Sequence, residues 1–199
     1  KAVQAAREAG ALIQSYQGGE IEVLRKEGGH TYASQVVTEV DRKAQDVILN
    51  LLEPTCVKHD LALLAEESKD DYSRFEKDFF WCIDPLDGTL AFTRSEPGYS
   101  VSIGLVARDG SPQIGVVYDP VREVLWQGTR RYGIERKGKP WTLAADGKEL
   151  TFTYDRSFEH HPKREQVLQT LERYACSRGL AGMTAIHYGG AVINACYAL

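Results

Sequence analysis

The sequence predicts an α+β layered sandwich. Apolar residues recur at helical spacing over residues 1–17, and again over 163–176. Between them, residues 99–127 fall into short segments with strand-like alternation, separated by turn dipeptides. Helices flanking antiparallel strands each have one apolar face to bury, and stacking them in layers satisfies both kinds of element.

The elements follow in chain order. Val3, Ala6, Ala9/Gly10, Ile13 and Tyr16 place a helix over 1–17, which Gly18-Gly19 ends. Residues 20–35 are polar and contain Gly28-Gly29, which predicts a helical remnant and then a mobile loop. Thr38-Glu39-Val40-Asp41 has capping-box form and starts a helix that runs to about Leu52, with Pro54 closing it. Ala62–Ala65 reads as a short strand ending in Glu66-Glu67-Ser68, and a polar loop (69–77) leads to a strand over 79–83. Residues 99–106, 113–118 and 123–127 form an antiparallel meander, with Asp109-Gly110 and Asp119-Pro120 at the connections. Residues 138–147, rich in Gly, Lys and Asp, mark a boundary between 1–142 and 143–199. A strand over 150–154 and a helix over 163–176, with Val167, Leu168, Leu171 and Tyr174 on one face, come next. Gly189-Gly190 and the following apolar run open a last helix.

Composition narrows the function. The chain has 199 residues, 43% hydrophobic and 26% charged, as an ordinary water-soluble protein does. With 24 basic and 28 acidic side chains the net charge is −4, which argues against a broad surface for a nucleic-acid polymer or an anionic membrane and leaves room for a local basic pocket. No apolar run reaches the ~18–20 residues of a membrane span. Cys56, Cys82, Cys176 and Cys196 are widely spaced, so buried free thiols in a reducing, cytoplasmic setting are expected.

The most informative stretch is Trp81-Cys82-Ile83-Asp84-Pro85-Leu86-Asp87-Gly88-Thr89. Pro85 has no N–H for a ladder and is expected to stop the strand at Asp84. Two carboxylates at the end of a buried strand are costly unless a positive charge sits between them. Gly88-Thr89 can open a helix whose N–H groups attract phosphate. Asp41 and Glu66/Glu67 also lie at element boundaries, where sites are built on a rigid sheet. If these acids converge, two carboxylates ~4 Å apart repel by about 4 kcal/mol at an effective dielectric near 20, so cations are needed. All-oxygen ligation points to Mg²⁺ or Mn²⁺, and two such ions can activate a water and stabilise a leaving oxygen in phosphate hydrolysis.

Asp84-Pro85-Leu86-Asp87-Gly88-Thr89, preceded by Glu66-Glu67-Ser68 and by Val37-Thr38-Glu39-Val40-Asp41, resembles the inositol monophosphatase superfamily. Those phosphatases are metal-dependent and often lithium-sensitive, and they include the 3′(2′),5′-bisphosphate nucleotidases. The resemblance implies an αβαβα sandwich of the sugar-phosphatase type, with 1–142 as the metal- and phosphate-binding domain and 143–199 as the start of an incomplete C-terminal α/β domain. It implies that Glu66, Asp84 and the Leu86 carbonyl hold the ion that activates water, and that Asp84 bridges to a second ion on Asp87. Thr89 would orient the nucleophilic water, with Asp41 or Glu66 as proton acceptor. The Gly88 and Thr89 N–H groups would receive phosphate oxygens, and Glu67 would be an outer partner or a ligand of a weaker third ion. A small-molecule phosphate monoester, Mg²⁺ in two or three copies and a homodimer are the implied partners.

Four departures from the family pattern shape the expectation, one of them in the sugar-phosphatase stretch Thr-Asn-Phe after the core glycine, of which Thr89-Leu90-Ala91-Phe92 matches only the Thr and the Phe. Its second ion takes a further aspartate from a late Trp-Asp motif, and none occurs before Leu199. The chain is therefore expected to be C-terminally truncated, weak at the second metal and weakly active. The nucleotidase stretch Ser-Arg-Ser-His reads here Asp155-Arg156-Ser157-Phe158, which favours inositol-monophosphatase-like activity over a nucleotidase. Ser34-Gln35 and the placement of Lys26 depart around the loop that helps bind a third ion. A non-catalytic metal- or phospholigand-binding module is the alternative from another class.

Simpler readings stand beside these. Asp41 could serve only as a cap, Glu66-Glu67 as a solvated turn, and Asp87-Gly88 as a common turn dipeptide. Arg156 could anchor substrate phosphate or form a structural ion pair. His160-His161 read as solvated, and Arg130-Arg131 and Lys137/Lys139 as a charged hairpin edge. Trp81, Trp126 and Trp141 read as core or sheet-edge aromatics.

Overall fold

The structure, a computed structural model, describes residues 1–19, 23–25, 36–142, 147–154 and 156–198, with the backbone alone at 23–25, 36–37 and 156–157. Helix α1 (Ala2–Ser15) buries Ala2, Ala5, Ala6, Ala9, Gly10 and Ile13. Small side chains let it approach closely, and a Cβ at Gly10 would fall 2.6 Å from the Tyr118 ring. Strand β1 (Val23–Arg25) pairs antiparallel with β2 (Val36–Thr38). The helical remnant expected here is thus a strand at 23–25, while Lys26, Gly28-Gly29 and Ser34-Gln35 lie outside the described residues.

Helix α2 (Glu39–His59) opens on the expected capping box and runs past Pro54. Proline removes one backbone bond, but the turn after it is held from outside. Thr55 Oγ1 donates to Leu52 O (2.6 Å) and accepts from Trp81 Nε1 (2.9 Å). Asp60 then ends the helix in a left-handed conformation, with its N–H on Cys56 O.

Strands β3 (Ala62–Ala65), β4 (Phe79–Asp87), β5 (Ser100–Ala107), β6 (Pro112–Asp119), β7 (Val124–Thr129), β8 (Gly133–Arg136) and β9 (Lys139–Trp141) form a sheet in that order. β3 and β4 are parallel and each later pair is antiparallel, so the meander holds as read. Pro85 does not stop β4. The register shifts between Asp84 and Asp87, leaving Pro85 and Leu86 out of the ladder, and a bulge needs no donor from proline. Helix α3 (Thr89–Thr93) follows at once.

β10 (Glu149–Thr153) pairs parallel with β11 (Gly182–Ile186), a strand the sequence reading did not place. Helix α4 (Arg164–Ser177) packs on both, and α5 (Ala191–Ala198) packs between this pair and β4, β5 and β6. The layers are therefore α1/α2, the seven-stranded sheet, α5, β10/β11 and α4. Alternation along β6 serves two layers: Val116 and Tyr118 face the α1/α2 core, and Val117 packs with Trp126, Ile193 and Tyr197. On α4 only Ala175 is buried, while Val167 and Tyr174 are exposed, so its expected apolar face is not a core face here. Cys82 and Cys176 are also exposed, against the expectation of buried thiols. Trp81 and Trp126 are buried and His160-His161 are exposed, as read.

Candidate active site

The parallel β3–β4 pair brings two strand ends together. Ala65 sits opposite Ile83, and the Glu66 N–H donates to Ile83 O (3.1 Å). One residue beyond that register the Glu66 and Asp84 carboxyls meet and share a hydrogen bond. The Leu86 N–H donates to Asp84 Oδ1 (3.1 Å), so the bulge folds back over that carboxyl. Burial raises the Asp84 pKa well above the ordinary carboxylate value; the charges of Glu66 and then Asp87 raise it further. Gln45, on the buried face of α2, steadies the Glu-Glu-Ser turn: its Oε1 accepts the Glu67 N–H (2.9 Å) and its Nε2 donates to Ser68 Oγ (2.9 Å).

Asp41, on the first turn of α2, is linked to this pair through Thr89 and Leu86. Its Oδ2 accepts the Thr38 N–H (2.8 Å) and the Thr38 hydroxyl (2.6 Å). Its Oδ1 accepts the Thr89 hydroxyl at 2.9 Å, with Leu86 O as the hydroxyl's other acceptor at 3.1 Å. Asp41 thus serves as cap and as partner of Thr89 together. Burial raises its pKa, outweighing the bonds from Thr38 and Thr89 that lower it.

Asp87 is placed differently from a simple ligand. Its Oδ1 accepts the Ala191 N–H (2.9 Å), and its Oδ2 accepts those of Val192 (3.0 Å) and Ile193 (3.2 Å), with Ser100 Oγ at 3.4 Å. It caps α5 from more than 100 residues away. Burial raises its pKa despite these donors. Gly88 is left-handed (φ 92°), and a Cβ there would fall 2.6 Å from Gly98 O. Gly98 and Gly189 also have positive φ and lie backbone on backbone, and a Cβ on either would overlap the opposing chain.

The structure therefore joins Asp41, Glu66, Asp84, Leu86 and Thr89, with Asp87 beside them and turned onto α5. Among the described residues no three His, Cys, Asp or Glu side chains are grouped to hold a metal ion. The Glu66–Asp84 pair with the Leu86 carbonyl is nonetheless an all-oxygen set whose two acids repel when ionised, which fits one hard cation. Arg156 begins a 3₁₀ turn (Arg156–His160), and its side chain lies outside the described residues. The sequence reading missed Gln45, Gly98 and the 191–193 amides; of these, only the Gly189-Gly190 helix start left a signal. A cavity of about 600 Å³ opens elsewhere, lined by Trp81, Leu105 and Ile114 and by Thr55 and His59 at the far end of α2, and includes none of these acids.

The fold is a layered α/β sandwich with acids gathered at two strand ends, and sequence comparison supplies its family. A profile described as "Inositol monophosphatase family" matches residues 1–198, and the chain belongs to that family. It is 38% identical over 161 residues to an inositol-1-monophosphatase of Synechocystis sp., covering 78% of this chain and 53% of that protein. It is 35% identical over 138 residues to Nus factor SuhB of Escherichia coli K12, covering 69% and 49%. The chain thus spans about half the length of the curated relatives it matches. The crystal structure of the suhB protein from Bartonella henselae superimposes with a TM-score of 0.75 at 25% identity, covering 98% of this chain and 72% of that one.

Proposed function

We propose that the protein hydrolyses a phosphate monoester of the inositol monophosphate type with Mg²⁺, or Mn²⁺ in its place, and that Asp41, Glu66, Asp84 and Thr89 carry the activation of the attacking water. The observation that supports this most is the 2.9 Å bond from Thr89 Oγ1 to Asp41, set beside the Glu66–Asp84 carboxyl pair. Glu66, Asp84 and the Leu86 carbonyl would hold the first cation, and Asp84 with Asp87 a second. A bound Mg²⁺ supplies a water of lowered pKa and neutralises charge on the phosphoryl oxygens.

The chain's own groups do the rest. Thr89 Oγ1 gives its proton to Asp41 and keeps lone pairs with which to accept a hydrogen bond from the nucleophilic water. As that water's oxygen bonds to phosphorus, its proton passes to Thr89 Oγ1 while the hydroxyl's own proton moves to Asp41, and the ester P–O bond breaks on the opposite side, its oxygen taking a proton from solvent water to leave as the alcohol. The raised pKa of Asp41 makes it a better acceptor than a solvated aspartate. The left-handed Gly88 followed by helical Thr89 makes a concave backbone turn of the kind that receives phosphate oxygens.

A second reading is a non-catalytic module that binds a cation or phospholigand. It is favoured by the engagement of Asp87 with α5 and by the similarity to a protein named Nus factor SuhB. Phosphate release from inositol 1-phosphate and from 3′-phosphoadenosine 5′-phosphate, measured on the natural full-length protein with Mg²⁺, separates these. Release from the inositol ester, lost in Asp84→Asn, supports the first reading. Preference for the nucleotide selects a nucleotidase. Mn²⁺ binding without turnover of either leaves the binding module.

A further inference from the structure

Helix α5 begins at Ala191, and the residue before it is a glycine. A helix usually caps its first amides with a side chain from that position. Gly190 has none, and the cap comes from Asp87 instead. The fit is close: a Cβ at Gly190 would lie 2.6 Å from Asp87 Cγ. The start of α5 must therefore be held to within a few tenths of an ångström of the end of β4.

From this we infer that Asn194 is the positioning residue that sets Asp87. Asn194 is 3% exposed. Its Oδ1 accepts the Tyr188 N–H, and its Nδ2 donates to Tyr154 O and Gly189 O, both at 3.4 Å. Its own N–H bonds Gly190 O (3.1 Å), and the Gly190 N–H bonds Gly98 O (2.8 Å). One buried amide thus ties the residue after β10, the 187–190 turn and the first turn of α5 into one unit. Its acceptor and its donor end are both used, so no smaller or apolar side chain can replace it without leaving a buried polar group unpaired. With α5 so placed, Asp87 Oδ2 takes two of the three amides and Oδ1 only one. A carboxylate oxygen has two lone pairs, so Oδ1 keeps one for a cation shared with Asp84. Among the described residues the side chain of Asn194 bonds only backbone groups, and it acts on Asp87 through the α5 amides.

This inference rests on the cation-site reading of Asp84 and Asp87, and its test separates the two. In the natural full-length protein, N194A is compared with wild type in three ways: hydrogen exchange at the 191–193 amides, Mn²⁺ affinity by electron paramagnetic resonance, and kcat and KM for inositol 1-phosphate. N194S, which keeps one hydroxyl, is used if N194A does not fold. The expected result is exchange about tenfold faster, confined to the start of α5, as losing a hydrogen bond to the turn implies. Mn²⁺ affinity is expected to fall about tenfold with it, and kcat to fall more than KM rises. A folded variant with wild-type exchange at 191–193 and wild-type Mn²⁺ affinity overturns the inference. A wild type that binds Mn²⁺ but releases no phosphate overturns the phosphatase reading and leaves the other two measurements to decide on Asn194. A wild type that binds no Mn²⁺ overturns both.

Discussion

Asp41→Asn separates the two duties of Asp41, cap and proton acceptor. The carboxylate receives three hydrogen bonds, two at Oδ2 from Thr38 and one at Oδ1 from Thr89. An asparagine can put its carbonyl oxygen where Oδ2 stands and keep both Thr38 bonds. Its amide nitrogen then faces Thr89 Oγ1, which accepts from it and turns its own proton to Leu86 O, already 3.1 Å away. The number of bonds is conserved. Each loses its charge assistance, about 1 kcal/mol apiece. Against that loss stands the burial of the carboxylate, the first cause of its raised pKa. A raised value means that the fold disfavours the ionised form on balance, so a neutral replacement should cost no more than about 1 kcal/mol at neutral pH, a shift of about 2–4 °C in melting temperature. Activity should fall by about 10²–10⁴-fold, because the amide takes no proton. The assays are thermal unfolding and kcat/KM with Mg²⁺. A variant within about threefold of wild type removes Asp41 from the proton path. A loss of more than about 3 kcal/mol of stability shows that the hydrogen bonds do not reorganise as reasoned.

Further predictions concern the same pocket. Asp84→Asn should abolish turnover while folding normally, since it removes a carboxylate that burial and two neighbouring charges oppose; retained turnover would refute its role. Gly98→Ala should destabilise the protein by more than about 2 kcal/mol, because residue 98 has φ 116° and its Cβ would overlap Tyr188; an unchanged unfolding curve would show that the contact is relaxed in solution. The pH dependence has a definite sign. Asp41, Asp84 and Asp87 have raised folded values, so without metal the folded state holds more protons, and stability falls as pH rises from about 4 through those values. Mg²⁺ needs the ionised acids, so the rise in melting temperature it produces should grow from about pH 5 to about pH 8. An equal effect of Mg²⁺ at both ends of that range would contradict the assignment.

Much of the pocket was legible because its residues do local work. Thr38 and Asp41 form a capping box whatever else they do, and that pattern survives in four consecutive residues. Pro85 between two aspartates marks the place where the ladder is interrupted. What escaped depends on distant partners. The helix passes Pro54 because Trp81, from another strand, holds Thr55. Strands β1 and β11 are short and take their identity from pairing, not from their own pattern. The spacing of Val167 and Tyr174 is helical, but spacing does not say which face is covered. Asp87 looked like a plain ligand because the amides it holds lie more than 100 residues away, and a glycine before a helix does not announce where its cap will come from.

Diffraction from crystals soaked in Mn²⁺, recorded for its anomalous signal, probes the shared pocket most directly. The expected result is a peak within oxygen-ligand distance of the Glu66 and Asp84 carboxylates and the Leu86 carbonyl, at ~2.0–2.3 Å as for hard divalent cations. Mn²⁺ bound elsewhere, or a soaked crystal with no peak between those two strand ends, would contradict it.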